Sequence, residues 1–154
     1  AYAVMAEADG VKLLPARREA DFEAARDGHN HGHHHGHGHA EHPAEGAVDA
    51  HLWLDPANAK AMVAHIAAVL SQAFPAHREA FGANARCAEE ELTALDAEIR
   101  AALADARDTP FIVFHDAYQY FERAYGLQAA GAITLAPELP PGAKHLSDIR
   151  ARIQ

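Results

Sequence analysis

The chain has 154 residues, 49% of them hydrophobic, and its 22 acidic against 13 basic side chains leave a formal charge of −9. That length and apolar fraction suit one globular core or parts of two, and the acidic balance argues against nucleic acid and anionic membranes as partners while it concentrates cations. The single cysteine, Cys87, builds neither an intramolecular disulfide nor a thiolate zinc site alone, and no apolar run is long enough to cross a bilayer.

Residues 1–8 read as the tail of a helix stopping at Asp9-Gly10, and residues 11–14 as a short strand ended by Pro15. From about residue 27 to residue 46 all periodicity is lost. Inside that stretch eight histidines fall within fourteen residues: His29, His31, His33, His34, His35, His37, His39 and His42, interleaved with Gly32, Gly36 and Gly38. Imidazole is the commonest protein ligand for zinc, nickel and copper, and the glycines leave the backbone free to wrap an ion. Residues 28–45 are therefore read as an auxiliary, low-affinity metal-binding loop. The competing reading is a tag or an inert spacer, but tags sit at termini and rarely alternate His with Gly.

Residues 48–54 alternate like a strand, with Val48, Ala50, Leu52 and Leu54 on one side and Asp49, His51 and Trp53 on the other. Asp55 is a favoured N-cap and Pro56 is preorganised for the first helical position, so a helix follows, with Met62, Ile66, Val69, Leu70 and Phe74 on its buried face. After Pro75 a longer helix carries Phe81, Ala85, Ala88, Leu92, Leu95, Ile99, Ala102 and Ala106 as one stripe. Some thirty residues span about 45 Å, more than a small domain is wide, so this helix is expected to link two domains. Its seam is largely alanine, which disfavours a coiled-coil dimer and points to a monomer.

Residues 111–114 favour a strand covered on both faces. His115 follows directly, and Asp116 and Gln119 have the spacing of a capping box for a helix over residues 117–125 that stops at Gly126. A second strand is expected within residues 129–135, then a Pro-rich turn at 137–141 and a helix from about residue 142. Strand, helix, strand, helix implies a parallel sheet and the α/β class.

His51 and His115 share a context, each at the junction between an apolar strand and an Asp-capped helix. In open parallel sheets ligands bind beyond the carboxyl ends of the strands, where side chains from two segments converge. The two histidines are thus candidate metal ligands across an interdomain cleft. A zinc site takes four ligands, so two more must come from elsewhere. Trp53 and Tyr118 are packing residues placed to wall such a site, and Asp116 is assigned first to its helix cap. His65, His77 and His145 have no obvious partner. No phosphate loop, nucleophile arrangement or H-E-x-x-H motif occurs, so no catalytic residue is assigned.

Three segments, DAHLWLDP (residues 49–56), FHDAYQYFERAYGL (114–127) and LAPELPPGAKHLSDI (135–149), together resemble one family: the zinc-binding solute-binding proteins of bacterial ABC importers, of the ZnuA type within the cluster A-I group. The histidine-rich acidic loop also resembles that of zinc-specific members. The resemblance implies a periplasmic protein, secreted through a leader not present in this chain, with two α/β domains joined by a long helix and the ion held between them. By it, residues 1–74 are the later part of the first domain, 75–108 the linking helix and 109–154 the start of the second, and the chain is a central fragment. It also implies that His51 and His115 are zinc ligands, with a further histidine upstream and an acidic residue completing the site. Manganese-specific relatives carry Glu at the second position, so His115 points to zinc, in keeping with imidazole's preference for borderline metals. A membrane permease and an accessory periplasmic zinc protein are the implied partners.

The leading expectation is a non-catalytic protein that captures zinc and delivers it to a permease. A zinc hydrolase would need an open coordination position and a general base, and no base stands beside either histidine. A metal storage protein or metallochaperone whose histidine tract is the main site is the other alternative. Neutral imidazole is the ligand form, so the tract sheds metal as pH falls towards about 5.5. Deleting residues 28–45 is expected to remove weak, additional zinc equivalents, read as a lower stoichiometry in titration calorimetry at neutral pH; an unchanged stoichiometry refutes the loop as a metal site.

Overall fold

A computed structural model describes residues 3–17, 46–134 and 143–152. The histidine tract, the turn at 137–141, the expected strand end at Leu135 and the chain beyond residue 152 lie outside the described residues. The regular elements are α1 (Pro56–Ala73), α2 (Arg78–Ala102), β1 (Phe111–His115), α3 (Gln119–Tyr125), β2 (Ala129–Thr134) and α4 (Ala143–Arg152). No described helix is long and apolar enough to cross a membrane.

The helix start at Asp55-Pro56 forms as its chemistry dictates: the Asp55 carboxylate accepts from the Ala57 amide at 2.8 Å, and Pro56 opens α1. A 3-10 turn, Pro75–His77, then reverses the chain. α2 runs back along α1, with Lys60 of α1 reaching Thr93 of α2 at 3.4 Å. The long helix is shorter than its periodicity implied. It ends at Ala102, and successive tight bonds from Ala104 to Ala101, Ala106 to Leu103 and Thr109 to Ala106 replace helical ones. Its stripe is half-buried at Phe81, Ala85, Ala88, Leu92 and Ile99, but Leu95 and Ala102 are exposed. Ile66 on α1 and Phe74, which caps its end, are likewise exposed instead of buried.

β1 and β2 pair in parallel, in a two-stranded arrangement among the described residues, with Val113 opposite Ala132 and His115 opposite Thr134. α3 is the crossover between them, and Gly126 ends it in the left-handed conformation that only glycine adopts without strain. Val113, Ala129 and Ala132 form the core of this unit, with Phe111 packed against it. α4 lies on β2 and buries Ile149. The α/β reading stands. The expectation that β1 is covered on both faces does not hold at Phe114, which is 63% exposed. Side chains alternate across a strand, so Val113 turns into the core and Phe114 away from it.

The amino-terminal readings need correction. Residues 1–8 hold no helix tail among the described positions, only a 3-10 turn at Met5–Glu7. Neither 11–14 nor 48–54 is a regular strand. One antiparallel bridge joins Pro15 to Val48, flanked by bonds from Ala16 to Ala47 and from Asp49 to Leu14, each 2.9 Å. Beyond it the chain turns at once into a 3-10 turn, Leu52–Leu54. The cause is Asp49, whose carboxylate accepts from the His51 amide at 2.9 Å and so competes with extended pairing.

Asn58 on α1 fastens these segments. Fully buried, it accepts from the Lys12 amide at 2.8 Å and donates to the carbonyls of Lys12 and Leu52 at 3.0 and 3.1 Å. Asn58→Ala strands three backbone groups, one buried and two partly buried, so it is expected to destabilise the protein by about 1–3 kcal/mol in denaturant unfolding.

Candidate metal centre

The 3-10 turn after Ala50 and the carboxyl end of β1 bring His51 and His115 side by side. Their ring centroids are 5.6 Å apart at an interplanar angle of 61°. Two imidazoles sharing a tetrahedral ion at about 2.0–2.1 Å have centroids roughly 5 Å apart, so this spacing suits a common metal. Among the described residues no group of three or more His, Cys, Asp or Glu side chains has a metal-binding arrangement.

The orientation of His51 is set from behind. Its Nδ1 lies 2.7 Å from Oδ1 of Asp49, whose side chain is only 6% exposed. A carboxylate on one ring nitrogen holds the tautomer that leaves the other nitrogen as a lone-pair donor, and raises its basicity towards a metal. Asp49 is itself held, since Gln119 donates to its Oδ2 at 3.2 Å and the Tyr120 hydroxyl donates to its carbonyl at 3.1 Å. That hydroxyl also accepts from the Leu14 amide at 2.9 Å. Burial pushes the Tyr120 phenol above its ordinary range; the Leu14 contact opposes this and the Asp49 charge adds to it, so Tyr120 stays a proton donor.

A second polar group includes Asp116, the residue after His115. Arg17 makes a two-pronged contact with Glu122, Nη1 to Oε1 and Nη2 to Oε2 both at 3.1 Å, and its Nη1 also reaches Asp116 Oδ1 at 3.1 Å. Burial works to lower the Arg17 pKa, but the hydrogen bond and charge of Glu122, then those of Asp116, outweigh it and the net shift is upward. Burial pushes the Asp116 carboxyl up; Arg17 opposes this, and the like charges of Asp49 and Glu122 add to it. Glu122 also accepts from the Ala129 amide at the start of β2.

These contacts revise the capping box. The N-cap of α3 is Tyr118 and no side chain caps it. Asp116 is engaged by Arg17, while Gln119 donates to Pro15 and Asp49. The three residues expected to wall the site part company. Trp53 lies against His51, ring centroids 5.6 Å apart, and is 53% exposed. Asp116 sits beside His115 in chain but points to Arg17. Tyr118 lines an apolar cavity of about 490 Å³ with Phe111, Phe114 and Phe121. Cys87 is exposed on α2, its thiol pushed up by the Glu91 charge, the reverse of what an activated thiolate requires.

Sequence reasoning passed over Asp49, Arg17, Tyr120 and Glu122. A carboxylate two residues before a histidine was a usable signal for Asp49. Arg17 gave none, because its partners lie 99 and 105 residues away.

Residues 2–154 match the family described as zinc-uptake complex component A, periplasmic. The chain belongs to this ZnuA family. It is 47% identical over 109 residues to the high-affinity zinc uptake system protein ZnuA of Brucella abortus, covering 71% of this chain and 33% of that protein. The protein of the same description from Yersinia pestis is 34% identical over 141 residues, 92% of this chain and 44% of its own length. A crystal structure of ZnuA superposes with a TM-score of 0.58 at 31% identity, over 67% of this chain and 40% of that one. The chain thus spans between about a third and under a half of the length of these relatives. The neighbours are two-domain metal-binding solute-binding proteins, so the expected fold class holds, and the family is a transport component, not an enzyme.

Asp49→Asn keeps the size of the side chain but removes the charge behind His51. It is expected to weaken zinc binding by the complete ZnuA-family protein by about 10–100-fold in a chelator competition titration.

Proposed function

We propose that His51 and His115 are two of the ligands of a zinc site through which a periplasmic solute-binding protein captures the ion and delivers it to an ABC permease. The observation that carries this reading is the pair of imidazoles held 5.6 Å apart, one of them oriented by a buried carboxylate. The relatives' names, zinc uptake system proteins, support zinc as the cargo. So does chemistry: two nitrogen donors suit zinc better than manganese, which prefers oxygen. The remaining ligands of a tetrahedral site come from outside the described residues. The acidic surface, formal charge −9, draws cations toward the cleft.

On this reading residues 1–74 finish the first domain, α2 with its flanking turns links, and residues from 109 begin the second, so that each domain contributes one histidine. Capture is then coupled to the relation between the domains. No bond is made or broken, and release needs only a loss of ligands. Residues 28–45 serve as an auxiliary collector or sensor, exchanging weakly held zinc with the cleft or with an accessory periplasmic protein.

Titration calorimetry on the complete protein, with and without residues 28–45 and with manganese as control, tests this. One tight zinc equivalent is expected to survive loop removal, with manganese binding weak. His51→Ala or His115→Ala is expected to weaken that equivalent by more than the roughly 10–100-fold that an outer-sphere change costs. Tight binding that vanishes with the loop and ignores both histidines would establish a storage protein instead.

A further inference from the structure

Asp116 is the residue next to His115, and a carboxylate there is an oxygen donor beside a nitrogen one. Its side chain is 7% exposed and its Oδ1 is taken by Arg17 at 3.1 Å. The same guanidinium grips Glu122, 5% exposed, through both prongs. The planar fork of arginine suits such two-carboxylate contacts, and the amide of Ala129 on Glu122 fixes the far side of the group. A third carboxylate, Asp49, is held by His51 and Gln119. The carboxylates of Asp49, Asp116 and Glu122 are therefore each tied to a partner within the protein. Oxygen donors shift a site's preference towards manganese and magnesium, so which atoms are kept away from the ion matters as much as which are presented.

We propose that Arg17 is a positioning and specificity-determining residue of the metal centre: by holding Asp116 and Glu122 together it keeps the Asp116 oxygens from the ion and fixes the turn that carries His115. The proposal rests on the assignment of His51 and His115 as ligands. It gives a role to a residue more than thirty positions before His51 in sequence, on the amino-terminal side of the histidine-rich stretch.

The test uses the complete protein, with cobalt(II) as a spectroscopic probe at one equivalent and manganese(II) binding followed by electron paramagnetic resonance. Arg17→Gln is expected to shift the manganese binding curve to lower concentration and to weaken the visible cobalt bands, as an added oxygen ligand does. The double variant R17Q/D116N is expected to restore both readings to those of the parent. A merely structural role for Arg17 predicts no such rescue. Unchanged manganese affinity and cobalt bands in R17Q, or changes that persist in R17Q/D116N, overturn the proposal. Should R17Q fail to fold, Arg17→Lys, which keeps the charge but not the fork, must shift both readings in the same direction and be reversed by Asp116→Asn. Loss of tight zinc in His51→Ala and His115→Ala alongside silence in the Arg17 variants sinks this inference alone; tight zinc in the histidine variants sinks the ligand assignment beneath it.

Discussion

The hydroxyl of Tyr120 is the point on which the arrangement turns. It accepts from Leu14 and donates to the carbonyl of Asp49, joining in one buried atom the segment before the histidine tract, the segment that carries His51 and the helix that follows His115. Three stretches distant in sequence meet there because a buried hydroxyl must satisfy both its donor and its acceptor capacity, and these backbone groups do so. Without that tie, the position of His51 relative to His115 would rest on the contacts of Gln119 with Asp49 and Pro15 and on packing, which resists compression but directs orientation poorly.

Electrostatics adds a second constraint. Three carboxylates, Asp49, Asp116 and Glu122, lie close enough to feel one another's charge, and each is engaged by hydrogen bonds or by Arg17. Buried pairs of this kind contribute little net stability, since desolvation offsets most of the attraction. What they contribute is definition: an orientation for the His51 ring and a held turn after β1. The protein spends polar burial on the geometry of a site and obtains its cohesion from the small residues that let β1 and β2 pack, Ala129, Ala132 and Gly131.

The local grammar of the chain was legible. Asp55-Pro56 starts a helix, Gly126 ends one, and the run Phe111 to Phe114 is a strand leading to His115, because each depends on neighbours in sequence. The pairing of His51 with His115 was legible from matching contexts. The supposed strand at 48–54 failed because period-two alternation also describes a turn in which Asp49 folds back on the His51 amide. The capping box failed because Asp116 and Gln119 found distant partners in Arg17, Pro15 and Asp49, and no local pattern ranks a cap against a contact a hundred residues away. The buried face of α1 was drawn too wide for a similar reason: Asn58, a polar side chain, takes the deepest position because the backbone of Lys12 and Leu52 needs it.

The antiparallel bridge between Pro15 and Val48 closes the base of the segment that holds the histidine tract. The two sides of that base are joined to each other by backbone bonds and tied by Asn58 and Tyr120 to parts of the chain outside the segment. The free energy of closing such a stretch rises only by about 0.6 kcal/mol for each doubling of its length. A segment pinched at its neck in this way is an exchangeable cassette: histidines, glycines and acids can be gained or lost between the two ends while the alignment of the imidazoles outside it is left untouched.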